Sequence, residues 1–402
     1  MRIAYLLPDP GIPVGGVKGA SVHVAEVCRA LAEAGATVRL LAMRAAAAPP
    51  PGVELDVFPC PAIPSGPSGD DARRSAVASF LRWAEERLEG ARVDLVYERL
   101  SLFAGSGGEL AERIGARRIV EVNAPVAAER AGRAGLSLAA EARDAERAAL
   151  AGATAFAVSP PMAAWSLERG AAAARVVVNG VDGRRFAPAR SARAGAAIRR
   201  DLGIADAEVV GFVGSMKPWH GVGTLLDAVA ILAPRRPALR ALVVGDGPGL
   251  ADLRSRAAAP DLAGRCRLVG PVASPEIPAH LAAMDVAVAP YLPPLADAAF
   301  YFSPLKVVEA MAAARPVVAS SFESIAHMLG GTGRLVPPGD ARRLAQAIDE
   351  VLSDPEAARA AGSAARRRAV EQFSWAGVAD EIIAAALPTT TVPGGPRDGR
   401  GR

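Results

Sequence analysis

Short runs of β-branched and aliphatic residues alternate with longer Ala/Leu/Arg stretches of helical period along most of the chain. That is the pattern of parallel α/β architecture, where strands are buried on both faces and each crossover is a helix. The runs predict strands at 2–7, 37–42, 53–57, 94–98, 118–122, 154–158 and 175–178. A second set follows at 209–213, 241–244, 266–269, 286–289, 316–319 and 334–336. Helices are predicted at 20–34, at 71–88 and, as one long element, within 129–150. Between the two sets lies VVVNGVDGRRFAP, where Asn179-Gly180 and Asp182-Gly183 are strong turn signals. The domain boundary falls there, giving Rossmann-like domains over 1–178 and 179–373. Residues 374–387 read as an amphipathic helix able to pack back on the first domain. The tail 388–402, PTTTVPGGPRDGRGR, lacks apolar period and is expected to be disordered.

Composition narrows the function classes. At 402 residues two domains are the natural division, and 51% hydrophobic residues supply ample core. The 46 basic residues nearly balance 42 acidic ones, which argues against a nucleic-acid partner. Aromatics at 4% are too sparse for a base-stacking platform. Cys28, Cys60 and Cys266 are odd in number and far apart, and are expected to be buried thiols in a reducing compartment. The chain opens directly on a strand, and no apolar run reaches the length of a membrane span. A cytoplasmic location follows as the expectation, with peripheral contact at the inner membrane face left open.

Only three of the basic residues are lysine: Lys18, Lys217 and Lys306. Each stands where a strand is expected to give way to a helix. A compact ammonium there suits phosphate, because helix N-termini add unpaired N–H groups and a positive dipole end. The most specific segment is YFSPLKVVEAMAAARPVVAS. Ser303 is expected as N-cap and Pro304 as the first helical residue, with Lys306 in the first turn. Glu309 follows one turn on, where a carboxylate can accept from two ribose hydroxyls, or simply face the helix dipole. The amides at Leu305 and beyond, with Lys306, can hold a diphosphate.

The chain resembles the family 4 retaining glycosyltransferases. The pieces occur in family order: PVGGVKGASVHVAEVCRALAEAGATV, VVVNGVD, GFVGSMKPWHGVGTLLDAVAIL, VVGDGPGLADL, VGPV, SPLKVVEAMAAARPVVAS and GRLVPPGD. The resemblance implies a GT-B fold, two Rossmann-like domains facing across a cleft. It implies sugar transfer from a nucleotide-diphosphate donor on the second domain to an acceptor hydroxyl at the first, with retention. The acceptor is a sugar, a lipid-linked molecule or a small molecule. Two motifs depart from the family pattern. Tyr301 stands where the first of two glutamates is usual, with Glu309 as the second. Ser215 and His220 replace the usual Arg and Lys, and Lys217 is placed to supply the missing charge.

In this reading Lys306, Lys217 and His220 neutralise the departing diphosphate, and the phosphate itself takes the acceptor proton. Gly16, Ser215, Gly245 and Val272 complete the donor site with Ser303, Pro304, Leu305 and Glu309. Asn123 is the preferred polar residue on the acceptor side, ahead of Glu129, and Glu98 ends a strand at the same edge. His23 faces either the cleft or the core, and His280 and His327 carry no role. No Asp-x-Asp metal motif is present, so neither a metal nor a cofactor is expected. Two alternatives remain: a sugar-nucleotide epimerase, and a non-catalytic protein with a degenerate donor cleft.

Overall fold

The computed structural model describes residues 1–16, 18–293 and 301–387. The tail 388–402 lies outside the described residues. Seven strands form the first sheet: β1 (Arg2–Leu7), β2 (Thr37–Ala42), β3 (Val53–Val57), β4 (Leu95–Arg99), β5 (Arg117–Val122), β6 (Thr154–Ala157) and β7 (Ala173–Val176). Six form the second: β8 (Glu208–Val213), β9 (Leu239–Val244), β10 (Cys266–Gly270), β11 (Val286–Ala289), β12 (Val317–Ser320) and β13 (Arg334–Val336). Their orders are β3-β2-β1-β4-β5-β6-β7 and β10-β9-β8-β11-β12-β13. Every pairing is parallel, with Tyr5 opposite both Leu40 and Tyr97 in the first sheet. The α/β class and the two-sheet architecture expected from the sequence are both present.

The continuous apolar runs follow from burial on both faces. In β1, Tyr5 and Leu7 join Val27 and Leu31 of the helix Gly19–Glu33 on one side. Ala4 and Leu6 join Phe80 and Leu81 of the helix Asp70–Leu88 on the other. Each such leucine contributes about 2 kcal/mol of burial.

Three local expectations are corrected. The long helix within 129–150 is two, Val126–Ala134 and Ala139–Leu150. Gly135 breaks it at φ +74, a conformation glycine adopts without strain. Ser303 does not cap its helix, which begins at Leu305 with Pro304 in the cap position and no side-chain cap bond. Of the cysteines only Cys28 is fully buried.

The C-terminal helix Trp375–Ala386 lies against the first sheet's core. Ser374 caps it, accepting from the Gly377 amide at 3.0 Å. Trp375, Val378, Ala379, Ile382 and Ala386 lie along one stripe and enter the cluster around Tyr5 and Val27. The inter-sheet segment crosses beneath it: the Val181 amide donates to the Phe373 oxygen at 2.7 Å. Among the described residues no helix is long and apolar enough to cross a membrane.

Candidate active site

The strand order of the second sheet reverses between β8 and β11. Crossovers leave such a point toward opposite faces and open a crevice beyond the strands' carboxyl ends. Lys306 enters that crevice from the helix Leu305–Ala312. Its Nζ lies 5.2 Å from the Phe212 ring centroid, at the end of β8, and 4.9 Å from that of Tyr291, just past β11. Gly214 makes room for it, since a Cβ there would come within 2.5 Å of Lys306 Cε. Burial brings the Lys306 ammonium down to about 7, with Glu309 opposing and the Lys217 charge adding to the fall. An ammonium so poorly solvated gains strongly from an arriving anion.

Glu309 lies one turn further along and is half-buried. Burial lifts its carboxyl to about 7 against the pull of Arg185 and Lys306. It lines a crevice between the two sheets with Glu26, Gly180, Arg185 and Leu305. Arg185 is held beside it, donating to the Ser274 hydroxyl at 2.7 Å and to the Ser274 carbonyl. That contact ties Arg185 to the segment after Val272, which packs half-buried on the second domain's core.

The turn after β8 closes on itself. His220 is 8% exposed, and its Nδ1 donates to the Ser215 carbonyl oxygen. The Ser215 hydroxyl lies 3.3 Å from the same nitrogen. The two departures from the family pattern are therefore partners of one another. Lys217 begins the short helical turn Pro218–His220, with Nζ 5.1 Å from the Trp219 ring centroid. Gly245 presses against this turn at φ +131, its amide donating to the Gly270 oxygen at 2.7 Å. A Cβ on Gly245 would stand 1.9 Å from the Gly214 oxygen. Among the described residues no three His, Cys, Asp or Glu side chains gather as metal ligands.

On the first sheet's side, Gly16 closes a turn through its amide to the Pro13 oxygen at 3.1 Å. The neighbouring Gly19 approaches the helix Leu305–Ala312, a Cβ there lying 3.9 Å from Leu305 Cδ1. Asn123 is half-buried at the end of β5, but its Nδ2 donates back to Glu121. Glu129 sits in the first turn of the helix Val126–Ala134. Glu98 does not open to the sheet edge: it is fully buried and paired with Arg118 at 2.9 Å. Burial raises its carboxyl pKa, with the Arg118 charge opposing. It is a core ion pair, not a ligand at the edge. Lys306, Ser215, Lys217, His220 and Gly245 therefore lie about the carboxyl ends of β8, β9 and β11, Glu309 lines the neighbouring crevice with Arg185, and Glu98 joins neither group.

Sequence reasoning missed Arg185, Glu121 and the full role of Asn179. A buried carboxylate in the apolar run RRIVEV was the available signal for Glu121. Arg185 had no signal, because only folding brings it to Glu309.

Comparison with known proteins came to the same architecture. Residues 18–182 match the model "Glycosyl transferase 4-like domain" and 207–354 the model "Glycosyl transferases group 1". A D-inositol 3-phosphate glycosyltransferase of Thermobispora bispora is 30% identical over 94% of this chain and 90% of its own. Its counterpart from Kineococcus radiotolerans is 36% identical over 53% of this chain and 52% of its own. With that and several other curated relatives the match spans about half their length. The solved sucrose-phosphate synthase of Thermosynechococcus elongatus shares the fold at a TM-score of 0.75, with 23% identity over 96% of this chain and 98% of its own.

Proposed function

This chain belongs to the group 1 (family 4) glycosyltransferases, and we propose that it moves a sugar from a nucleotide-diphosphate donor to an acceptor hydroxyl, with retention and without a metal ion. The observation that carries this reading is Lys306, half-buried at the strand-order reversal with Glu309 one turn behind. A diphosphate in the crevice would meet the Lys306 ammonium and the uncapped amides at Leu305. A ribose one turn away would meet Glu309. Lys217 and the 215–220 turn held by His220 would add positive charge and dipoles as the diphosphate leaves. The leaving phosphate takes the acceptor proton, so no protein base is assigned. In this reading Asn123 serves the acceptor side, the Gly16 turn completes the donor site, and a domain division at residue 179 would set the two substrates on opposite walls. A cytoplasmic location is part of the same proposal, with contact at the inner membrane face left open.

Thermal-shift measurements with UDP, GDP, ADP and dTDP and their sugars, in EDTA, test the donor site. One nucleotide family is expected to stabilise the protein, and this stabilisation is lost in Glu309→Ala. Stabilisation by none of them rejects the reading and favours a degenerate cleft.

The pH dependence separates the two charged roles. Diphosphate affinity should fall as pH rises through about 7, because the Lys306 ammonium is lost there. Glu309 has the opposite sign: its folded pKa is raised to about 7, so its carboxylate forms only as pH climbs through that value. The ratio of nucleoside-diphosphate to pyrophosphate affinity, read by titration calorimetry, should therefore rise about tenfold through this window. A ratio flat with pH would remove Glu309 from the ribose site.

A further inference from the structure

The helix that carries Lys306 and Glu309 is held in place by Ser159 of the first domain and by the inter-sheet segment. Its lead-in, Tyr301 to Ser303, is pinned at both ends. The Ser159 hydroxyl donates to the Tyr301 oxygen at 2.7 Å. Asn179 takes hold of Ser303 twice: its Nδ2 donates to the Ser303 carbonyl at 2.5 Å and its backbone N–H donates to the Ser303 hydroxyl at 3.1 Å. Ser303 stands one residue before the cap position, which Pro304 occupies, so its hydroxyl is engaged by the inter-sheet segment and not by the helix N-terminus.

Asn179 is itself oriented. A carbonyl only accepts, so Nδ2 must face Ser303 and Oδ1 must face His23, whose Nδ1 stands 2.7 Å away. His23 then presents Nε2 to Glu121 Oε1 at 2.8 Å. Glu121 is anchored in turn by the Tyr5 hydroxyl at 2.8 Å and by Arg99. The edge of the His23 ring also meets Trp375 at 5.3 Å between centroids. One buried chain, Glu121–His23–Asn179–Ser303, thus joins the first sheet, the first helix and the inter-sheet segment to the start of the Lys306 helix.

We propose that Asn179 is a positioning residue for the Lys306 helix, held in its orientation by the His23–Glu121 pair. Its task is to fix the lead-in at Ser303, so that the helix N-terminus and Lys306 stay aimed at the crevice. The catalytic value of that task rests on the donor reading above; the physical coupling does not.

The test compares wild type with Asn179→Ala, Asn179→Asp and His23→Gln. Hydrogen–deuterium exchange on the ligand-free protein reads the coupling. Asn179→Ala and His23→Gln should each raise exchange at residues 303–308 at least tenfold while β1 and β8 keep their protection. Asn179→Asp, which cannot donate to the Ser303 carbonyl, should do the same and serves if the alanine variant folds poorly. A rise spread evenly over both sheets would indicate mere loss of stability and overturn the proposal, as would unchanged exchange at 303–308. In a second arm, release of nucleoside diphosphate from a bound sugar nucleotide is timed. Here kcat should fall about 100-fold in Asn179→Ala with donor KM changed less than threefold, the mark of lost alignment. A rise in KM alone would overturn the positioning role. If wild type binds no sugar nucleotide, the donor reading falls, and the exchange arm still decides the coupling.

Discussion

Lys306→Ala is expected to lower turnover about 10²- to 10³-fold, the loss seen when one preorganised charge donor is removed from a leaving group. The lysine sits between two aromatic rings at the crevice floor, where water screens a charge poorly and an ammonium is therefore worth most. Arginine should not rescue it. Gly214 already packs so closely that a single added Cβ would come within 2.5 Å of Lys306 Cε, and a planar guanidinium needs more room than a tapering ammonium. Steady-state rates of Lys306→Ala and Lys306→Arg, with folding checked by circular dichroism, decide the matter. Activity within about tenfold of wild type in Lys306→Ala would place the leaving-group charge elsewhere, with Lys217 the next candidate.

Gly245→Ala should cost about 4 kcal/mol of stability, combining backbone strain with overpacking against a wall that cannot yield. The glycine has φ +131, and the obstruction is the backbone oxygen of Gly214, 1.9 Å from the new Cβ. Relief by separating the turns after β8 and β9 would break the Gly214 amide's bond to the Val244 oxygen, 2.9 Å, and the Met216 amide's bond to the Asp246 oxygen, 2.8 Å. Both bonds hold the 214–217 turn beside Lys306. Denaturant unfolding should show the lost stability, and donor binding should weaken with it. Unfolding unchanged within about 0.5 kcal/mol, the range of neutral surface substitutions, would mean that the two turns separate freely.

Much of this protein was legible in one dimension. The strands follow from apolar runs that must be buried on both faces, and the ends of β1, β2, β3 and β11 match those expected to the residue. The Asn179-Gly180 signal falls in the segment between β7 and β8, where the backbone forms no turn until 183–186. Lys306 and Glu309 were legible because their spacing is local: one helical turn sets their distance wherever the helix lies.

The misreadings share a cause. Ser303 has the chemistry of a cap, yet the helix starts at Leu305 with Pro304 before it, and the Ser303 hydroxyl is held by Asn179, 124 positions away in the chain. Glu98 ends near a sheet edge that binds ligands in such folds, yet Arg118 on the neighbouring strand claims it. Ser215 and His220 looked like two separate losses of charge, and prove to be one closed turn. A polar side chain's partner is whichever donor or acceptor folding brings within about 3 Å, and sequence distance does not enter that choice.

The sequence by itself thus determined the alternation of strand and helix, the two sheets and the helix that carries Lys306 and Glu309, because periodicity and local spacing act within a few residues. Tertiary structure alone decided that Arg185 comes beside Glu309, that Asn179 holds Ser303 at the start of the Lys306 helix, and that a lysine in a strand-to-helix motif becomes a poorly solvated charge with a pKa of about 7. Desolvation and hydrogen-bond partnership depend on what surrounds a group in space, and those surroundings come from both domains together.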